Sequence, residues 1–284
     1  MRRASLAVLA LLAAGCGSSS RPATTAAPGP QAGRPAARTT ARPTVAAAAA
    51  QRAALDRLLV LGKPVYCGSS RRRMVALTFD DGPGPYTHYA LKELRKWHAR
   101  ATFFVVAKSI RSWPGWAARE RRFGAAIGDH TATHPYLPGL SEAAMQQEVL
   151  TGQRAAASAA GVRVRLFRPP YGAFTPAVTA TAQRLGMVEI LWSIDSGDSI
   201  GGDFHAIAAR VRAAVRPGSI ILMHENRGQT IRALRSLLPY LRRRRLQTAT
   251  VPELLAANPP SASLLADGLQ ACSPGARITR FGAG

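Results

Sequence analysis

The chain has 284 residues, 47% of them hydrophobic, which is enough for one large α/β domain with appendages and excludes a chain without a core. Its 38 Lys and Arg against 15 Asp and Glu give a formal charge of +23. That balance suits an anionic neighbour, whether nucleic acid, lipid headgroups or cell-wall polymer, and does not by itself choose among them.

The first residues choose a compartment. Arg2 and Arg3 form a short positive segment, residues 6–14 an apolar one, and "LLAAGC" ends at Cys16, an arrangement that reads as an export signal too short to span a bilayer. Residues 1–16 resemble a bacterial lipoprotein signal, in which Cys16 is lipidated and ties the chain to the membrane. A plain secretory signal cleaved nearby is the other reading, and both send the protein out of the cytosol. Residues 17–66 are an Ala/Pro/Thr-rich linker with a short helical lead-in. From 17 to about 50 they hold almost no large apolar residue, so a disordered tether is expected there. Cys67 and Cys272 flank the central domain, 67–258; in an oxidising compartment they either pair or stand as two unrelated thiols. The tail, 259–284, carries no readable chemistry.

From residue 74 onward β-like and helix-like segments alternate about seven times. The predicted strands are 74–79, 101–107, the segment before His130, 164–168, 187–195, 218–224 and 246–251. The predicted helices are 87–99, 141–161, 175–185, 204–215 and 229–245. Such alternation implies a parallel sheet with helices outside. Asp80, Asp81, His130, Arg168, Asp195 and His224 all fall at the C-terminal ends of these strands, where α/β folds build their sites, and so many contributing strands favour a closed, barrel-like ring.

"GDHTATHP" places His130 and His134 four residues apart, a spacing that would put both imidazoles on one side of a helical turn, with Asp81 as a third ligand. Two His and one carboxylate leave positions open for water and a substrate oxygen, although the same trio describes non-haem iron oxygenases. In "LTFDDGP" adjacent strand residues point to opposite sides, so two carboxylates at one site require the turn that Gly82-Pro83 supplies. One can then bind metal while Asp80 takes a proton, kept ionised by the metal and by a cation such as Arg168.

At these motifs the chain resembles the polysaccharide deacetylase family, the fourth of the carbohydrate esterases. "TFDDGP" matches the first motif, "HTATH" the second, "RPPYG" the third and "LMH" the fifth, and "DSGD" is similar to the fourth. The resemblance implies an α/β fold, a distorted (β/α) barrel of about seven parallel strands. It implies Asp80 as catalytic base and Asp81, His130 and His134 as ligands of one divalent metal. It also implies Arg168 orienting the base, the Tyr171 amide stabilising the oxyanion, Leu222 lining the acetyl pocket, and His224 as general acid tuned by Asp198. Zinc is expected from the ligand types, which also accept cobalt, nickel or iron. Ser199 stands where the family's fourth motif continues with Trp, which leaves acceptor shape and turnover open; Trp192, seven residues before it, is expected to pack in the core. The expected activity is removal of acetyl groups from an N-acetylated envelope glycan, peptidoglycan first, with chitin-like oligomers or acetylated xylan as variants. The alternative is an envelope lipoprotein that binds glycan or metal without turnover. No nucleic-acid or protein partner is expected.

Overall fold

The computed structural model describes residues 44–272. The signal segment, Cys16, most of the linker and the last twelve residues of the tail lie outside the described residues. Helix α1 (Val45–Leu61) opens on Thr44, whose hydroxyl accepts from the Ala47 N–H, and stops at Gly62 in the left-handed region. The expected tether therefore ends before residue 50. Alanine has the highest intrinsic helix propensity, and Leu55 and Leu58 supply the buried face that holds the helix down.

The strands are β1 (Met74–Gly82), β2 (Thr102–Val105), β3 (Ala126–Asp129), β4 (Leu166–Phe167), β5 (Val188–Glu189), β6 (Ile194–Asp195), β7 (Ile220–His224) and β8 (Gln247–Ala249). All pair in parallel in the order β5-β4-β3-β2-β1-β7-β6, with β8 against the start of β1. The single strand expected over 187–195 is two short strands, because this stretch crosses from one end of the curled sheet to the other. Ile190 N–H bonds to the Phe167 carbonyl on the β4 side, and Ser193 N–H to the Ile220 carbonyl on the β7 side. The sheet thus curls until both its outermost strands come from one stretch of chain, as a distorted (β/α) barrel.

Helices α2 (Thr87–Lys96), α3 (Ala107–Ser112), α4 (Trp116–Phe123), α5 (Glu142–Ala160), α6 (Pro176–Arg184), α7 (Phe204–Ala214), α8 (Gly228–Arg243) and α9 (Val251–Ala257) surround the strands, and α10 (Ala262–Ala266) and α11 (Leu269–Cys272) follow. None of the described helices is long and apolar enough to cross a membrane. Helices α3 and α4 have no counterpart in the sequence reading, since at six and eight residues they are too short to show a sustained period.

β1 is buried on both faces, as a central parallel strand must be. Its alternate residues separate two cores. Val75, Leu77 and Phe79 pack outward with Leu94, Val149, Leu234 and Leu238 of the helices. Ala76 faces the other way, into a cluster with Phe104, Leu166 and Ile220 that is completed by Leu55 and Leu58 of α1 and Leu254 and Leu255 of α9. The inner side of β1 therefore reads Ala76, Thr78, Asp80 and turns from apolar to polar toward the C-terminal end. Gly128 on β3 permits the tight interior, since a Cβ there would lie 2.4 Å from the Phe104 ring.

Cys67 and Cys272 form a disulfide across a sequence separation of 205 residues, which ties α11 back to the segment before β1. Cys272→Ser is expected to lower the unfolding free energy by about 2–5 kcal/mol, as is usual for loss of a native disulfide, and chemical denaturation of variant and parent tests this. Superimposable curves would show that the cross-link contributes nothing to the domain.

Candidate active site

Arg168 follows β4 and is wholly buried, its side chain reaching across the barrel interior. Its Nη1 donates to Asp80 Oδ1 at 2.8 Å and to Thr78 Oγ1 at 2.8 Å, both on the inner side of β1. Nε and Nη2 donate to the carbonyls of Ile190 and Leu191 at 3.0 and 3.1 Å, and the guanidinium lies 4.1 Å from the centre of the Phe104 ring. Burial pushes the Asp80 carboxyl upward and the charges of Arg168 and His224 pull it back, leaving it at about 6. Its second oxygen, Oδ2, faces His130 Nε2 at 3.8 Å.

Asp81, His130 and His134 converge beside it. Asp81 Oδ1 lies 3.2 Å from His134 Nε2 and 3.7 Å from His130 Nε2, and one donor atom from each residue fits within 4.8 Å of the others. His130 Nδ1 contacts the Arg168 carbonyl at 2.6 Å, so the proton sits there and Nε2 presents its lone pair. Burial holds both imidazoles down at about 4, hence neutral as metal ligands must be. For Asp81, burial acts upward, but the neighbouring histidines and the hydrogen bond from Asn226 Nδ2 at 3.3 Å outweigh it and keep the carboxyl ionised. This donor set, oriented by partners behind it, fits one divalent ion.

The two histidines do not share a helical turn. Residues 130–136 form a loop in which Thr131 and His134 take positive φ of 72° and 67°, and Thr131 Oγ1 accepts from His134 N–H at 3.0 Å. The side chains meet because the backbone is bent, which a four-residue spacing alone does not reveal. Asp81 at φ 69° and Tyr171 at φ 63° are bent likewise, so four of the six non-glycine residues with positive φ among those described belong to this site.

The opposite wall comes from β7 and the loop after β6. His224 Nδ1 bonds to Asp198 Oδ1 at 2.8 Å, while Asp198 Oδ2 accepts from His224 N–H at 2.7 Å and from Thr230 Oγ1 at 2.6 Å. Burial would strip His224 of its proton, but the hydrogen bond and charge of Asp198 reverse this and raise it to about 9. Leu222 is buried two residues earlier on the same side of β7. Asp195 stands apart from this pair, accepting from Gly197 N–H at 2.8 Å.

Tyr171 sits exposed on a turn opposite His134, ring centroids 4.7 Å apart. Trp192 packs as expected: it lies under that turn, close enough to Gly172 that a Cβ there would come within 2.7 Å of its ring, and 5.5 Å from the Arg168 guanidinium. Ser199 is half-buried and Ile200 exposed beyond Asp198.

Four supporting residues escape sequence reasoning. Thr78 carried a signal, its place two residues before Asp80 on a buried strand, and Asn226 follows His224 closely. Thr230 and Glu225 carried none. Glu225 is fully buried and accepts from Thr87 Oγ1 at 2.5 Å, and that oxygen in turn accepts from Gly84 N–H at 2.7 Å. It fills the space beside Gly82, where any Cβ would collide with its carboxyl. The turn after Asp81 is therefore propped from beneath.

Comparison with known proteins gives one family. The polysaccharide deacetylase model matches residues 68–190. A chitooligosaccharide deacetylase of Bradyrhizobium sp. (strain ANU 289) is 37% identical over 205 residues, 66% of this chain and 94% of that protein. A peptidoglycan-N-acetylglucosamine deacetylase of Bacillus cereus (strain ATCC 14579) is 33% identical over 192 residues, 66% of this chain and 90% of the relative. The crystal structure of a peptidoglycan N-acetylglucosamine deacetylase in complex with an N-oxidanyl-benzamide superposes with a TM-score of 0.66 at 28% identity, covering 69% of this chain and 94% of that one.

Arg168→Met would leave Asp80 buried without its counter-charge and is expected to destabilise the fold by about 3–5 kcal/mol, measured by chemical denaturation. Adding Asp80→Asn should recover part of that loss, because the two side chains are directly coupled. Strict additivity of the two changes would contradict this reading of the pair.

Proposed function

The chain belongs to the polysaccharide deacetylase family, and on that premise we propose that it is an exported, metal-dependent deacetylase that removes acetyl groups from an N-acetylated glycan of the cell envelope. The observation that carries this reading is the placing of a buried acid, Asp80, and a protonated histidine, His224, at adjacent strand ends beside three metal donors, with Asp80 and His224 in register across β1 and β7. Peptidoglycan is the favoured substrate, because relatives named for it align over most of their length and an exported enzyme meets it first.

The chemistry divides among the residues by their environments. A divalent ion held by Asp81, His130 and His134 would polarise the acetyl carbonyl and acidify a water molecule. Asp80 takes a proton from the attacking water, and Arg168 fixes the direction of its carboxylate. The Tyr171 N–H, set by the left-handed turn, donates to the oxyanion as it develops. His224, kept as imidazolium by Asp198, protonates the departing amine. Leu222 lines the space for the acetyl methyl. The complete set of these groups speaks against a protein that only binds.

Zinc fits the His and carboxylate donors best. A lipid on Cys16 would hold the domain at the outer face of the membrane. The Cys67–Cys272 disulfide supports an oxidising compartment, whether the chain is anchored or simply secreted.

Metal-stripped protein is expected to release no acetate from peptidoglycan or N-acetylglucosamine oligomers and to recover on adding zinc. Asp80→Asn should bind the metal normally and lose about 10²–10⁴-fold in kcat. Tight metal binding without acetate from any glycan would sink the proposal.

The pH profile offers a second check. The reaction needs His224 protonated, a state held in the free protein up to about pH 9 and lowered by any cation bound nearby. The alkaline limb of kcat/KM should therefore fall at or below pH 9, and Asp198→Asn should move it downward. A limb that stays in place in that variant would remove His224 from the role of acid.

A further inference from the structure

The cleft between α2 and α8, outside the site described above, encloses about 590 Å³. Its walls carry Tyr86 and Tyr89 from one side and Gln229, Arg232 and Arg235 from the other, with Lys92 at the edge. The tyrosines are 38% and 47% exposed and lie three residues apart, hence on one side of α2. Gly228 lets the walls approach, since a Cβ there would come within 3.2 Å of the Tyr86 ring.

Three cations face this space against a single carboxylate, Glu93, which lies 3.4 Å from Arg235 Nε. The Arg232 guanidinium is held 4.1 Å from the centre of the Phe204 ring, which orients it without neutralising it. Aromatic faces exposed beside a cationic wall and a side-chain amide suit a ring with apolar C–H faces, hydroxyl groups and a carboxylate: an acidic sugar.

The cleft also adjoins the catalytic loops, its two helices starting just after them. Tyr86 stands five residues after Asp81, so their Cα atoms are at most about 19 Å apart. Helix α8 begins four residues after His224, and Gly84 packs against Asn226 between the two regions. A linear glycan with one sugar at the active site has no more than that separation to cover to reach the cleft.

We propose that the α2–α8 cleft is a remote subsite for the acid-bearing sugars of a peptidoglycan strand, so that the enzyme prefers carboxylated strands to neutral oligomers of the same length. The proposal rests on the deacetylase reading for its route and for the acetate assay, and calorimetry tests it independently. Acetate release is measured on peptide-free peptidoglycan strands, which carry the lactyl carboxylate, and on chitooligosaccharides of matching length. Lys92→Gln/Arg235→Gln should raise KM about tenfold on the carboxylated strands at unchanged kcat, leave the neutral oligomers untouched, and weaken the salt dependence that the parent shows. Tyr89→Ala should raise KM on both long substrates and leave the disaccharide unaffected. A charge variant that changes both polymers alike, or neither, overturns the proposal. Calorimetry with Asp80→Asn protein separates the two readings. If no glycan releases acetate, the deacetylase reading fails, yet selective loss of carboxylated-strand binding in the charge variant still supports the subsite, and unchanged binding overturns it.

Discussion

The site depends on one buried cation. A guanidinium taken fully out of water is tolerable only with a counter-charge and acceptors for its other donors, and Arg168 finds Asp80, a threonine hydroxyl and two carbonyls at the point where the curled sheet closes. The partners come from two parts of the barrel: β1 for the acid and the hydroxyl, the crossing stretch between β5 and β6 for the carbonyls. The same residue acts through its backbone, its carbonyl fixing the ring of His130 and its N–H bonding to the Asp129 carbonyl. Asp80 and His130 are thus referenced to one residue. Lysine would keep the charge but not the planar fork that meets these acceptors together.

Around that fixed point the chain is bent where it must deliver side chains. Asp81, Thr131, His134 and Tyr171 occupy a backbone region that residues with a Cβ avoid, at about 1–3 kcal/mol each. Such conformations persist where the surroundings over-determine them. Ser109 Oγ donates to the Asp81 carbonyl at 3.0 Å, Asp129 Oδ1 accepts from Thr131 N–H at 2.9 Å, and Glu225 fills the space under the Gly82 turn. The strain is offset by polar partners packed behind each bend.

This explains what was legible in the sequence. Strand ends carrying Asp80, His130, Arg168 and His224 could be read because buried parallel strands make apolar runs that stop abruptly at polar residues. The motifs that resemble a known family supplied their expected roles together. The bends could not be read: the spacing of His130 and His134 fits a helical turn, and only the loop geometry, set by contacts with α5 and β3, shows otherwise. The stretch 187–195 looked like one strand because local pattern does not reveal that a curled sheet must be crossed. Thr230 and Glu225 are ordinary helix and loop residues whose partners lie 32 and 138 positions away in sequence. The pairing of Cys67 with Cys272 is long-range in the same sense.

The remaining design is electrostatic. Three imidazoles lie close together, and two are held neutral while one is held charged. Burial acts in the same direction on all three, toward neutrality. What separates them is where the nearest carboxylate spends its lone pairs. Asp81 shares its charge across two histidines, and His130 is further held by a carbonyl that asks only for its Nδ1 proton. Asp198 instead places both oxygens on His224, one on the ring and one on the backbone, and the second also accepts from Thr230 Oγ1. Its charge therefore faces a single imidazolium. His224 is made different from His130 and His134 by its partner, not by its residue type, and Asp198 decides the charge of the histidine it holds.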